Sequence, residues 1–126
     1  MATDNTISVP KATSGVLNAA VKIGGAFPYA WKLWDHSQQN GTWQVHFVAS
    51  GQGQAAVPVG TVGALDGHVL HWQVALINYD TTNATADVTP SLTDPSGNRY
   101  PTQKPGTWDV TPTTSAADIF AMVTAI

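Results

Sequence analysis

The chain contains no cysteine and no glutamate, and charged residues make up only 10% of its 126 positions. Without cysteine there are no disulfides, thiolate metal sites or cysteine nucleophiles, and the redox compartment stays open. Without glutamate there is no paired-Glu arrangement for glycoside cleavage and no H-E-x-x-H zinc motif. G-x-S-x-G and Gly-rich phosphate loops are missing too, so no catalytic constellation is visible and the chain reads as a non-enzyme without cofactor or bound metal. The net charge is −3 and Lys11, Lys22, Lys32, Arg99 and Lys104 are scattered. That distribution gives no footprint for nucleic acid. No apolar run approaches the ~20 residues of a membrane span. The start, MATDNTISVP, shows no basic segment followed by an apolar one, so no signal peptide is expected. The compartment stays open between cytoplasm, non-classical export and a leader already removed.

What is present favours strands. Thr, Ala, Gly, Val and Asn occupy places where a helical protein carries Glu and Lys, and the length suits one domain over 1–126 with a real core. The longest strand-forming stretch without internal Gly or Pro is Gly67–Asp80, GHVLHWQVALINYD. Its alternation places His68, Leu70, Trp72, Val74, Leu76 and Asn78 on a core face, and Val69, His71, Gln73, Ala75, Ile77 and Tyr79 on a half-covered one. It reads as the central strand.

Around it, Thr6–Val9 and Gly15–Ile23 read as strands, and Phe27–Asp35 alternates Phe27, Tyr29, Trp31 and Leu33 inward. His36–Gly41 is polar and closes in Asn-Gly, a hairpin signal. Thr42–Ser50 then places Trp43, Val45, Phe47 and Ala49 inward, with Gln44, His46 and Val48 outward. Gly51–Gln54 reads as a turn, Ala55–Val62 as an edge or broken strand because of Pro58, and Asp66-Gly67 as a turn. Ala84–Leu92 reads as a strand interrupted by Pro90, and Asp94-Pro95-Ser96-Gly97 as a type I turn. Arg99–Gly106 is an irregular loop before the short strand Thr107–Thr111. In the tail, Ser115 and Asp118 resemble a helix cap, yet Ile119, Ala121, Val123 and Ala125 alternate, so strand is favoured over a short C-terminal helix. Short strands at this spacing, punctuated by Gly, Pro, Asn and Asp, indicate an all-β antiparallel sandwich, jelly-roll or immunoglobulin-like. The Trp-Asp pairs at Trp34 and Trp108 are too far apart for propeller blades.

Candidate binding residues fall in two groups. Trp34, turned opposite to Trp31, is followed by Asp35, His36, Gln38, Gln39 and Asn40; the second group is Asn98, Arg99, Tyr100, Trp108 and Asp109, with Gln103 nearby. An aromatic plate beside short amides and a carboxylate suits the apolar face and hydroxyls of a sugar. His46 and His71, with Gln44 and Gln73, form a polar patch if their strands pair, but without a third ligand they make no metal site. The leading expectation is a non-catalytic, lectin-like module using these loop-borne residues on a glycan or other small polar ligand. The alternative is a self-assembling structural subunit of a capsid, decoration or surface-filament kind. A homo-oligomer would then bury Val48, Ala75, Ile77 and the Phe120/Met122 face. A membrane-active toxin would need an amphipathic segment, which only Gly15–Ile23 or the tail could supply.

Overall fold

The computed structural model describes residues 3–126 and shows two five-stranded sheets packed face to face. Sheet A runs β1 (Thr6–Val9), β10 (Thr114–Ala125), β6 (Val69–Ile77), β3 (Tyr29–Gln39) and β4 (Thr42–Gln52). Sheet B runs β5 (Val57–Gly60), β2 (Leu17–Gly24), β7 (Ala84–Thr93) and β8 (Arg99–Pro101), with β9 (Gly106–Val110) also paired to β7. All pairings are antiparallel except β1 with β10. No helix among the described residues is long and apolar enough to cross a membrane.

The Gly67–Asp80 stretch is central, as its pattern requires. Strand β6 lies between β10 and β3, and Leu70, Trp72, Val74 and Leu76 are at most 1% exposed. They meet Leu17, Ala19 and Val21 of β2 and Val88 and Leu92 of β7 in one apolar cluster spanning both sheets. Tyr29 ties the layers directly: its hydroxyl donates to the Val21 carbonyl at 2.7 Å, and burial raises the phenol above its ordinary pKa. The tail is strand throughout, with no C-terminal helix, because its alternating residues supply the core side of β10.

Local chemistry explains several turns. Asn40 and Gly41 both take positive φ, 53° and 77°, the two-residue hairpin that Asn-Gly favours. Gly97 N–H donates to the Asp94 carbonyl at 3.0 Å, closing the expected Asp-Pro-Ser-Gly turn. Pro90 does not interrupt β7 after all. It falls between Ala84–Val88, paired with β9, and Ser91–Thr93, paired with β8, where no ladder bond requires an N–H. Before the Asp66-Gly67 turn the chain also makes a four-residue helical turn, α1 (Val62–Leu65), capped by the Thr61 hydroxyl; it buries Val62 and Leu65. Strand β4 continues to Gln52 instead of turning at Gly51, and the Arg99–Gly106 loop contains β8.

The main departure from simple alternation is in β4. Leu33 pairs with Ala49 but Trp34 pairs with Phe47, so Val48 is an extra residue opposite the β3 ladder, a β-bulge. Ala49 and Gly51 stay on the inner side, while Phe47, Val45 and Trp43 move to the outer one. Val45 and Phe47 are therefore not core residues; they are 54% and 51% exposed, and Trp43 is half-buried. Inside, the Trp31 ring takes the space above Gly51, where a Cβ would sit 2.6 Å from it. A side chain at Gly51 would expel Trp31 from the core.

These burials separate three substitutions. Trp72→Ala should cost about 3–5 kcal/mol, as large-to-small core changes do. Trp72→Phe should cost markedly less, because it also removes an indole N–H buried without a partner. Phe47→Ala should cost only about 0.5–1.5 kcal/mol, mainly its edge-to-face contact with Trp34. Urea-denaturation midpoints of the three variants check this order.

Candidate functional site

The outer face of sheet A is built from four cross-strand rows whose members share a side because they are ladder partners. Reading from β4 through β3 and β6 to β10, the first is Gln52, Ala30, Ala75 and Ala116. Next come Ser50, Lys32, Gln73 and Asp118, then Phe47, Trp34, His71 and Phe120, and last Val45, His36, Val69 and Met122. A row of small side chains thus lies beside a polar row, with an aromatic row behind it. The lowered floor forms a groove of about 710 Å3, flanked by Lys32, Gln73 and Asp118 and reached at one end by Ala55. Its size lies within the ordinary range of ligand clefts.

The aromatic row orients the polar one. The Trp34 indole donates to Gln73 Oε1 at 2.6 Å, and His71 Nε2 lies 2.8 Å from Asp118 Oδ1. His71 is also stacked on Phe120, with centroids 4.0 Å apart and planes at 18°. Trp34 takes Phe47 edge-on at 5.2 Å. Since an indole N–H only donates, the Gln73 oxygen must face it and the Gln73 amide NH2 is left for a ligand. His71 engages one Asp118 oxygen, which leaves the other as an acceptor.

His36 sits in the same face, 6% exposed, with its ring 5.9 Å from Phe120 and 5.8 Å from His71. Its Nε2 is buried without a partner. Burial, reinforced by His71, pushes its pKa below the ordinary value of 6.5.

Alternation splits the first predicted group. Trp34 and His36 belong to the outer face, but Asp35 is on the inner side, where its carboxylate holds His68 Nδ1 at 2.9 and 3.0 Å. None of Asp35, His36, Gln38 and Gln39 is loop-borne, because β3 continues to Gln39; Gln38, Gln39 and Asn40 are exposed at the hairpin end. His46 is the ladder partner of Asp35, whereas His71 is that of Trp34, so these histidines lie on opposite sides and the expected His46–His71 patch does not form. Strands β4 and β6 are not even neighbours. Among the described residues no three metal-ligating side chains converge.

The second group is on sheet B and is largely committed to its own turn. Asp94 Oδ1 accepts from Ser96 N and Asn98 N at 2.9 and 3.0 Å, while Oδ2 accepts from Asn98 Nδ2 and the Tyr100 hydroxyl at 3.1 and 2.7 Å. The Tyr100 bond leads in holding the Asp94 carboxyl below the ordinary carboxylate range, and the same bond raises the Tyr100 phenol. Trp108 lies over Gly106, where a Cβ would be 2.1 Å from its ring, and packs against the core. Arg99 and Asp109 are exposed on β8 and β9.

Alternation already indicated His71, Gln73 and Ala75 of β6 and Ala30 and Lys32 of β3 on the outer face; that Ser50, Ala116 and Asp118 join them becomes visible only through the register. The fold and this face define a two-sheet all-β protein with a ligand-sized groove across one sheet. No family model, curated protein or solved structure matches the chain.

The lowered His36 pKa fixes the sign of one pH effect. The folded state prefers the neutral imidazole, so its contribution is present above pH 6.5 and is lost as pH falls from there through the lowered folded value. His36→Phe should flatten the stability profile in that interval, checked by urea midpoints measured at intervals from pH 7.5 to 5.

Proposed function

We propose that this protein is a non-catalytic, lectin-like carbohydrate-binding module whose site is the outer face of sheet A. The observation that carries the reading is the direct adjacency of three rows: small side chains that open a groove, polar side chains held by neighbours, and an aromatic ridge. Sugars present hydroxyls around the ring edge and apolar C–H faces, and such a surface offers partners to both. The reading keeps Trp34, which holds Gln73 through its indole N–H, and sets Gln73 of β6, Asp118 of β10 and Lys32 of its own strand in place of Asp35, Gln38, Gln39 and Asn40.

Trp34→Ala tests this. The indole is half-buried and outside the core cluster, so the melting temperature should fall by only a few degrees. Glycan-array binding should fall by about tenfold, because Gln73 loses the donor that fixes its amide. Unchanged array binding by a folded variant rejects the site.

A second reading, self-association as a structural subunit, is favoured by Val45 and Phe47, both more than half exposed on β4, an eleven-residue strand at the edge of sheet A. Long apolar edges are places where another chain adds on. Light scattering after size exclusion distinguishes the readings: a mass well above the 13.2 kDa chain that returns to monomer in Phe47→Ser supports assembly. A monomer in both proteins rejects it.

A further inference from the structure

Resting on the carbohydrate reading, the geometry points to a narrower ligand: a neutral, extended oligosaccharide lying crosswise to the strands, with Gln73 and Asp118 holding one hydroxyl-bearing edge. Three features of the groove carry this.

The first is its direction. Its floor is the row Ala30, Ala75 and Ala116 with Gln52, which crosses four strands, while along each strand the groove takes in only this row and the neighbouring Ser50, Lys32, Gln73 and Asp118 row. Three strand spacings of about 4.8 Å give a length of about 14 Å. One pyranose ring in an extended chain advances by roughly one such spacing, so the floor accommodates a short run of rings. A single sugar would leave most of it empty.

The second feature is charge. Lys32 and Asp118 are the charged side chains lining the groove, one of each sign. They lie in the same row with Gln73 between them. A polyuronate or sulfated chain laid along that row would gain at Lys32 and be opposed at Asp118. A neutral chain has no such conflict and uses the two as an opposed donor and acceptor.

The third is the hydrogen-bonding state of the middle of the row. Trp34 fixes Gln73 with its amide NH2 unspent, and His71 occupies one Asp118 oxygen, leaving the other. Gln73 and Asp118 are direct ladder partners. They therefore offer a donor and an acceptor side by side, and a hydroxyl or vicinal diol can accept from one and donate to the other. Trp34 and His71 act here as positioning residues.

The test uses an array of neutral, uronate and sulfated oligosaccharides of one to six rings in several linkages, followed by calorimetry with the best neutral series. Affinity should rise with length and level off at three or four rings. Ala75→Trp, which fills the groove from an exposed position on β6, should abolish binding with little change in melting temperature. Gln73→Ala should weaken binding about tenfold, and Trp34→Phe, which keeps a ring but removes the N–H that holds Gln73, severalfold. A monosaccharide bound as tightly as the longer chains or a preference for acidic glycans overturns this inference and leaves carbohydrate binding at this face standing; full binding by folded Ala75→Trp overturns this inference together with the placement of the site in the groove. Binding to no glycan on the array overturns the carbohydrate reading as well.

Discussion

One extra residue in β4 decides what the outer face of sheet A is made of. Until Val48, a strand read backward from Ala49 would carry Phe47, Val45 and Trp43 into the core; with Val48 bulged, the same three residues are turned out beside Trp34 and the hairpin end. The inner side benefits as well. On the Ala49 side of the bulge the inward positions are Ala49 and Gly51, and the Trp31 indole fills the room they leave. The bulge therefore matches a bulky residue in β3 to small ones in β4 on the inside, while gathering aromatic side chains outside. Without it, Phe47 would turn inward opposite Asp35, and the ridge behind the groove would lose it.

That dependence also explains which parts of the fold were legible in the sequence. Strand β6 was, because its apolar alternation is unbroken from Leu70 to Leu76 and both its neighbours keep register with it. The Asn40-Gly41 hairpin and the Asp94–Gly97 turn were, because each rests on local backbone chemistry. The faces of β4 were not. A bulge breaks the period of two at a position fixed by the partner strand, and Val48 has no local feature that announces it. Pro90 misled for a similar reason: whether a proline breaks a strand depends on whether a neighbour needs its N–H, and here β8 and β9 divide on either side of it.

The candidate site shows the same limit in chemical form. A cluster rich in Asn, Asp, Tyr and Trp can be a binding surface or a turn that satisfies itself. For Asn98 and Tyr100 the structure shows the second: both side chains donate to Asp94 Oδ2, while Oδ1 accepts from the turn backbone at Ser96 and Asn98. Asn78 is spent likewise, donating to the Thr82 and Val110 carbonyls and accepting from Asp80 N. In these places polar density means that the chain is bracing a bend. Around Trp34 the opposite holds. Its sequence neighbours Asp35 and His36 are taken up by His68 and by the aromatic layer, while Gln73 and Asp118 from two other strands, with Lys32 of its own strand, supply the polar groups beside it.

The outer face also bears on the stability of the sheet. His36 and His71 are largely covered, and Phe120 and Met122 half-covered, by contacts made on a side that has no second sheet above it. This surface layer removes imidazole nitrogens from water, and only His71 recovers a strong partner, in Asp118. Burying an unpaired nitrogen is costly, so a layer selected for stability alone would carry another apolar residue where His36 stands. The neutral imidazole is instead kept behind the ridge, against Phe120 and close to His71, where it supports the pair that orients Asp118. The same face leaves Gln73 and Asp118 with unspent hydrogen-bonding groups, the Gln73 amide NH2 and one Asp118 oxygen, so its polar row is held in place from below without being used up.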